Sequence, residues 1–142
     1  MVKDVLNGIS RTLNQVFGDG YEIYKSTDVK QGLKEPCFFI KLLASSRVRR
    51  IGLRYYQTQS LDIHYFPAKN GDNDEMISVG NKLFDALEIV ALLNGDLVHG
   101  IGMNYQMIDG VLHFFVDYNI FIRKTVDQDD METINVIPNT TG

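Results

Sequence analysis

Val2, Val5, Leu6, Ile9, Leu13, Val16 and Phe17 recur at steps of three and four, the spacing that gathers side chains on one face of a helix. Gly18-Asp19-Gly20 follows and supplies a glycine stop, so a helix is predicted over 2–17. The period then changes. Tyr21 to Lys25 reads as a short strand, residues 26–36 as a polar loop, and Cys37 to Leu43 as a β-rich run bounded by Pro36 and Ser45-Ser46. From Tyr55 to Phe66 the pattern alternates. Leu61, Ile63 and Tyr65 fall on one face and Ser60, Asp62 and His64 on the other, as in a half-buried strand. Residues 67–72 read as a turn. A second helix is predicted over 74–90 from Met76, Val79, Leu83, Leu87 and Val90, with Asn73 as N-cap and Asp74 and Glu75 at the positive end of its dipole.

Asp109-Gly110 lies between two β-rich runs and is a preferred pair for a two-residue type I′ hairpin. With Ile108 opposite Val111, the register sets Met107 against Leu112, Tyr105 against Phe114, Met103 against Val116, Ile101 against Tyr118 and Leu97 near Ile122. One face is then apolar, and a slip of one residue would scramble it. The order of elements shows no βαβ alternation. It predicts a single α+β domain over 1–124: one mainly antiparallel sheet, two helices packed on it and a long C-terminal hairpin. Residues 125–142 read as an acidic tail, or as an arm that docks on a neighbour.

The chain has 142 residues, 44% hydrophobic and 23% charged, which suits one globular domain. Its single cysteine, Cys37, excludes an internal disulfide and a multi-cysteine zinc site. No apolar run is long enough for a membrane helix, and Lys3, Asp4, Asn7, Ser10 and Arg11 interrupt any signal-peptide core. A soluble protein of a reducing cytoplasm is the expectation. The net charge of −4 is concentrated in the tail. Residues 1–123 carry 13 basic and 14 acidic side chains, without the basic excess usual in a nucleic-acid binder.

Catalytic chemistry finds little support. Ser60, Asp62 and His64 are the residue types of a hydrolase triad, but their spacing puts them roughly 6–7 Å apart per step along a strand. No glycine-flanked nucleophile elbow surrounds Ser60. A solvated strand face accounts for them better. His64, His99 and His113 lie in separate segments without a carboxylate or cysteine at ligand spacing, so no metal site is assigned. His99 is expected on the apolar face and His113 opposite Gln106 on the polar one. Gly100-Ile101-Gly102 lacks the strand–turn–helix setting of a phosphate loop and reads instead as a bulge or a close backbone approach. No cofactor and no enzymatic activity are expected. One segment does suggest contact. Arg47, Arg49, Arg50 and Arg54 fall within eight residues without an acid, followed by Tyr55 and Tyr56, and Arg with Tyr is enriched at interface hot spots. These six residues are the candidate protein-interaction site.

Three stretches carry a resemblance: Gly32-Leu33-Lys34-Glu35-Pro36-Cys37-Phe38-Phe39-Ile40, Leu61-Asp62-Ile63-His64-Tyr65-Phe66-Pro67, and Asp109 through Tyr118. Together they resemble the tail-terminator, or tail-completion, proteins of long-tailed phages, of the type found in Firmicute prophages. The likeness runs from the first helix to about Lys124. It implies a non-enzymatic α+β subunit that assembles with itself into a ring, typically a hexamer, on the tail tube. The ring would stop tube polymerisation and meet the head–tail connector protein. The implied setting is the bacterial cytoplasm during assembly and then the virion tail, with the tail tube protein as partner, transient contact with DNA in the lumen and no membrane. The alternatives are another morphogenesis role, as connector or tube subunit, or a small hydrolase.

Overall fold

The computed structural model describes residues 2–25, 34–69, 72–126 and 132–138. The elements in chain order are α1 (Val2–Phe17), β1 (Glu22–Lys25), β2 (Cys37–Arg49), β3 (Arg54–Phe66), α2 (Asn73–Ala86), β4 (Ile89–Ala91), β5 (Leu97–Ile108), β6 (Val111–Val126) and β7 (Glu132–Pro138). The loop read over 26–36 lies mostly outside the described residues.

The first helix has the predicted bounds because its apolar stripe has somewhere to go. Val5, Leu6, Ile9 and Leu13 are buried against the sheet, while Val16 turns outward. Gly18 takes φ +86° and its N–H donates to Asn14 O at 2.9 Å, closing the last turn. The second helix differs at both ends. Asp72, not Asn73, is the N-cap, accepting the Glu75 N–H at 3.1 Å. The helix stops at Ala86 rather than reaching 90. Ile89 and Val90 are β-branched and pair as a strand with His99 and Val98, which sends Val90 into the core.

The strands form one sheet in the order β1-β2-β3-β6-β5-β4, with β7 also paired to β6. This sheet is mixed, which corrects the mainly antiparallel one predicted. β1 runs parallel to β2, with Glu22 opposite Cys37, whereas the other pairings are antiparallel. Residues 26–36 supply a connection of about the dozen residues that a parallel return needs, so the period-2 pattern of β1 was silent on its direction. β6 is the spine. β3 lines one edge of it along its length, and the other edge is shared end to end by β5 near the turn and β7 beyond Ile120. The segment read as tail or arm thus contributes a strand over 132–138.

The β5–β6 turn is built as predicted, with positive φ at both Asp109 and Gly110. Its register holds for Ile108–Val111, Met107–Leu112 and Tyr105–Phe114. Beyond Asn104 it shifts. A bulge at Gly102, with φ +61°, adds one residue, so Ile101 faces Asp117 and Gly100 faces Tyr118, while Leu97 pairs with Ala91. Every side chain beyond the bulge changes face. Val98 is buried, Ile101 is exposed and His99 leaves the apolar face on which it was expected. Gly100 meets the reversed chain after α2: a Cβ there would lie 2.6 Å from Leu87 O.

Both helices sit on the sheet face that carries Phe38, Ile40, Leu61, Ile63, Tyr65, Leu112, Phe114, Val116 and Tyr118, all buried in one core. Each such side chain contributes roughly 1.5–3 kcal/mol on burial. Phe17, Tyr21, Phe38 and Tyr65 form a contiguous aromatic group where α1 meets the sheet. The Tyr118 hydroxyl, buried in this core, donates to Leu87 O at 2.8 Å. The opposite face of the sheet carries no helix among the described residues.

Candidate functional site

Alternation along β3 and β6 sends the even residues of β3 and the odd residues of β6 to this helix-free face. Direct cross-strand pairing stacks them in rungs: Arg54–Arg123, Tyr56–Phe121, Thr58–Asn119, Ser60–Asp117, Asp62–Phe115 and His64–His113. The face is basic and aromatic at one end, polar in the middle, and at the other end holds two imidazoles beside a carboxylate.

The basic end is the tip of the β2–β3 hairpin. The sequence left residues 44–54 without a strand, but β2 runs on to Arg49 and pairs rung for rung with β3 up to Tyr55. The four arginines are not equivalent. Arg47 lies on the helix side of the sheet, where its Nε and Nη2 both donate to Gln57 Oε1 at 2.9 and 2.7 Å, and its guanidinium stands 5.6 Å over the Tyr55 ring. Arg49 donates from Nε to Gly52 O at 2.9 Å. These two hold the hairpin's shape. Arg50 and Arg54 face the other way, onto the helix-free side. Arg50 stands 5.5 Å over Tyr56, whose ring packs edge-on against Phe121 at 4.9 Å. Arg50, Ile51, Arg54 and Phe121 line a cleft of about 450 Å³. Ile51 at the tip is 90% exposed, with Val48 and Leu53 also open.

Arg123 and Phe121 were not among the sequence candidates. Arg123 sits directly across from Arg54, so three guanidinium groups share one small surface. Among the described residues none of Arg47, Arg49, Arg50 and Arg54 meets a carboxylate within ion-pair distance. Only the β3–β6 register could have revealed Arg123, and no local motif marks it.

The other end corrects two sequence expectations. Asp62 does not lie on a solvated face: it is 5% exposed. The histidines are not all apart either, because pairing of β3 with β6 brings His113 beside His64, their ring centroids 4.3 Å apart. His113 Nδ1–H donates to Asp62 Oδ2 at 3.0 Å, and His64 Nε2 lies 2.9 Å from the same oxygen without the alignment of a hydrogen bond. Burial raises the Asp62 carboxyl, but the two imidazoles outweigh it and hold the group below its ordinary value. Ser60 makes no hydrogen bond to either partner among the described residues, so no nucleophile–base–acid line forms. Cys37 is buried on β2. Burial first, and then Glu35 and Glu22, push its thiol up to about 11, so it stays protonated and inert.

The comparison that accounts for such a chain is with protein families. The family described as Phage tail terminator protein matches residues 4–130. The chain belongs to that family. Among curated proteins none matches it. Membership makes this terminator a structural component of phage tail assembly, in a family that is not catalytic, and it carries self-association and contact with other tail or head–tail proteins. A place in the virion tail follows. Among the described residues no helix is long and apolar enough to cross a membrane.

Proposed function

We propose that copies of this terminator close into a ring, a hexamer, on the end of the tail tube, where the ring stops polymerisation and presents a surface to the head–tail connector protein. The role is one of assembly, without a catalysed reaction. One observation carries this reading: the hairpin tip and the adjoining stretch of β6 hold Arg50, Arg54 and Arg123 on one side, around Phe121 and a nearly fully exposed Ile51. Like charges directly opposite one another on paired strands are destabilising. An exposed apolar tip ringed by guanidinium groups gains from being covered by an acidic surface with apolar patches. In a ring, each subunit repeats that contact, so a modest energy per copy is multiplied. The near balance of 13 basic and 14 acidic side chains over residues 1–123 favours an acidic protein surface over DNA as the counterpart.

The test replaces Arg50, Arg54 and Arg123 together by Ser. The isolated subunit should keep its denaturation midpoint or gain slightly, because exposed charges contribute little to folding and the Arg54–Arg123 repulsion is removed. Electron microscopy of the lysate should show tails of uncontrolled length or tails that fail to join heads. Normal tails joined to heads would reduce the tip to a solvated hairpin. Mass photometry of the wild-type protein with tube ends reads the ring itself, and a chain that stays monomeric there overturns it.

A further inference from the structure

We propose that Asp62, His64 and His113 form a binding site for a divalent transition-metal ion of the zinc class, on the sheet face that carries no helix. Asp62 and His64 stand two residues apart on β3 and so share a face, and His113 is the direct cross-strand partner of His64. One oxygen or nitrogen from each, taken together, lie within 4.8 Å of one another. Asp62 Oδ2 is 2.9 Å from His64 Nε2 and 3.0 Å from His113 Nδ1. Bonds of 2.0–2.1 Å to a tetrahedral ion set neighbouring ligand atoms about 3.4 Å apart. Small side-chain torsions therefore open the cluster enough to admit the ion, with no movement of the strands.

Hydrogen bonding within the cluster leaves it unfinished. His64 Nε2 is buried and lacks an aligned partner, and Asp62 Oδ1 is buried with none. Unpaired buried polar atoms of this kind are costly and call for an explanation. A cation held by the carboxylate and both imidazoles uses the His64 lone pair and offsets the buried charge. The donor set selects the ion. Two imidazole nitrogens and one carboxylate oxygen suit zinc and its neighbours, whereas magnesium and calcium take oxygen ligands alone. Three protein ligands leave a fourth position for water, and each imidazole keeps a little under a fifth of its side chain exposed on this face, 19% for His64 and 18% for His113. The surroundings fix the rings as well: Phe39 meets His64 edge-on at 5.8 Å, and Phe115 stacks on His113 at 6.4 Å.

The experiment uses the full chain, freed of metal by a chelator and titrated with Co²⁺. A tetrahedral site gives visible d–d absorption that saturates at one ion per chain and is lost when Zn²⁺ is added. His64→Gln and His113→Gln should each weaken binding at least as much as loss of an outer-shell partner does, about 10–100-fold. Asp62→Asn should do the same, and because Asp62 is buried it is read only beside the two histidine variants, with urea midpoints confirming that each is folded. His99→Gln and Cys37→Ser should bind as the wild type does. No saturable Co²⁺ absorption, unchanged binding by folded histidine variants, or displacement by Mg²⁺ as readily as by Zn²⁺ would each overturn the site.

Discussion

Gly100 and Gly102 stand two residues apart on β5 and are glycine for different reasons, so replacing each by Ala separates steric from conformational cost. At Gly100 the backbone is ordinary but space is absent. A Cβ would lie 2.6 Å from Leu87 O and 3.0 Å from Val116 Cγ2. Leu87 O is a main-chain atom that also accepts the Tyr118 hydroxyl at 2.8 Å, and the Gly100 N–H donates to Glu88 O at 2.7 Å. Relief of the clash must therefore move the turn between α2 and β4 and stretch both hydrogen bonds. Overpacking costs about 1–3 kcal/mol and each weakened hydrogen bond about 1 kcal/mol, less roughly 0.5 kcal/mol regained from a stiffer unfolded chain, for a net cost of about 3 kcal/mol. At Gly102 the space is open, the nearest atom being Asp117 Oδ2 at 3.8 Å, but φ is +61°. Holding Ala in that left-handed conformation costs about 1 kcal/mol after the same entropy gain. With a urea slope of about 2 kcal/mol per M, Gly100→Ala should lower the midpoint by about 1.5 M and Gly102→Ala by about 0.5 M. Equal shifts, or the larger shift at Gly102, would refute the close approach of β5 to the end of α2 and the bulge register that creates it.

Asp62 should leave a mark on acid stability. Its carboxyl titrates below the ordinary 3.8 in the folded chain, so its contribution is present above that value and is lost as pH falls through the folded pKa. Asp62→Asn should flatten the loss of stability below pH 3.8 in denaturation midpoints taken across pH, and an unchanged acid limb would remove the imidazole contacts as its cause. Cys37, with its thiol up at about 11, should resist a thiol-specific disulfide reagent near neutral pH and react only on unfolding. Prompt labelling of the folded chain would show that the thiol is neither buried nor held protonated.

Much of the architecture was written locally. The period of Val5, Leu6, Ile9 and Leu13 sufficed for α1, because a helix's buried stripe is spaced by the helix itself. Asp109-Gly110 fixed its own turn and the first rungs of the hairpin, because a type I′ turn sets the register of whatever flanks it. The arginine-rich stretch was visible as a contact candidate, although Arg47 and Arg49 spend their donors within the hairpin. The stretches that resembled tail terminators fall within the residues the family matches. What the sequence left open is which strand lies beside which. Alternation says that Asp62 and His64 share a face. It is silent on His113, 51 residues from Asp62 along the chain, whose place beside them depends on β3 pairing with β6. The same pairing sets Arg123 across from Arg54, and a single residue inserted at Gly102 turned His99 and Ile101 to the other side. Periodicity is a property of one strand. Adjacency, direction and bulges are set by the packing of the whole sheet under its two helices, and both ends of the helix-free face were decided there.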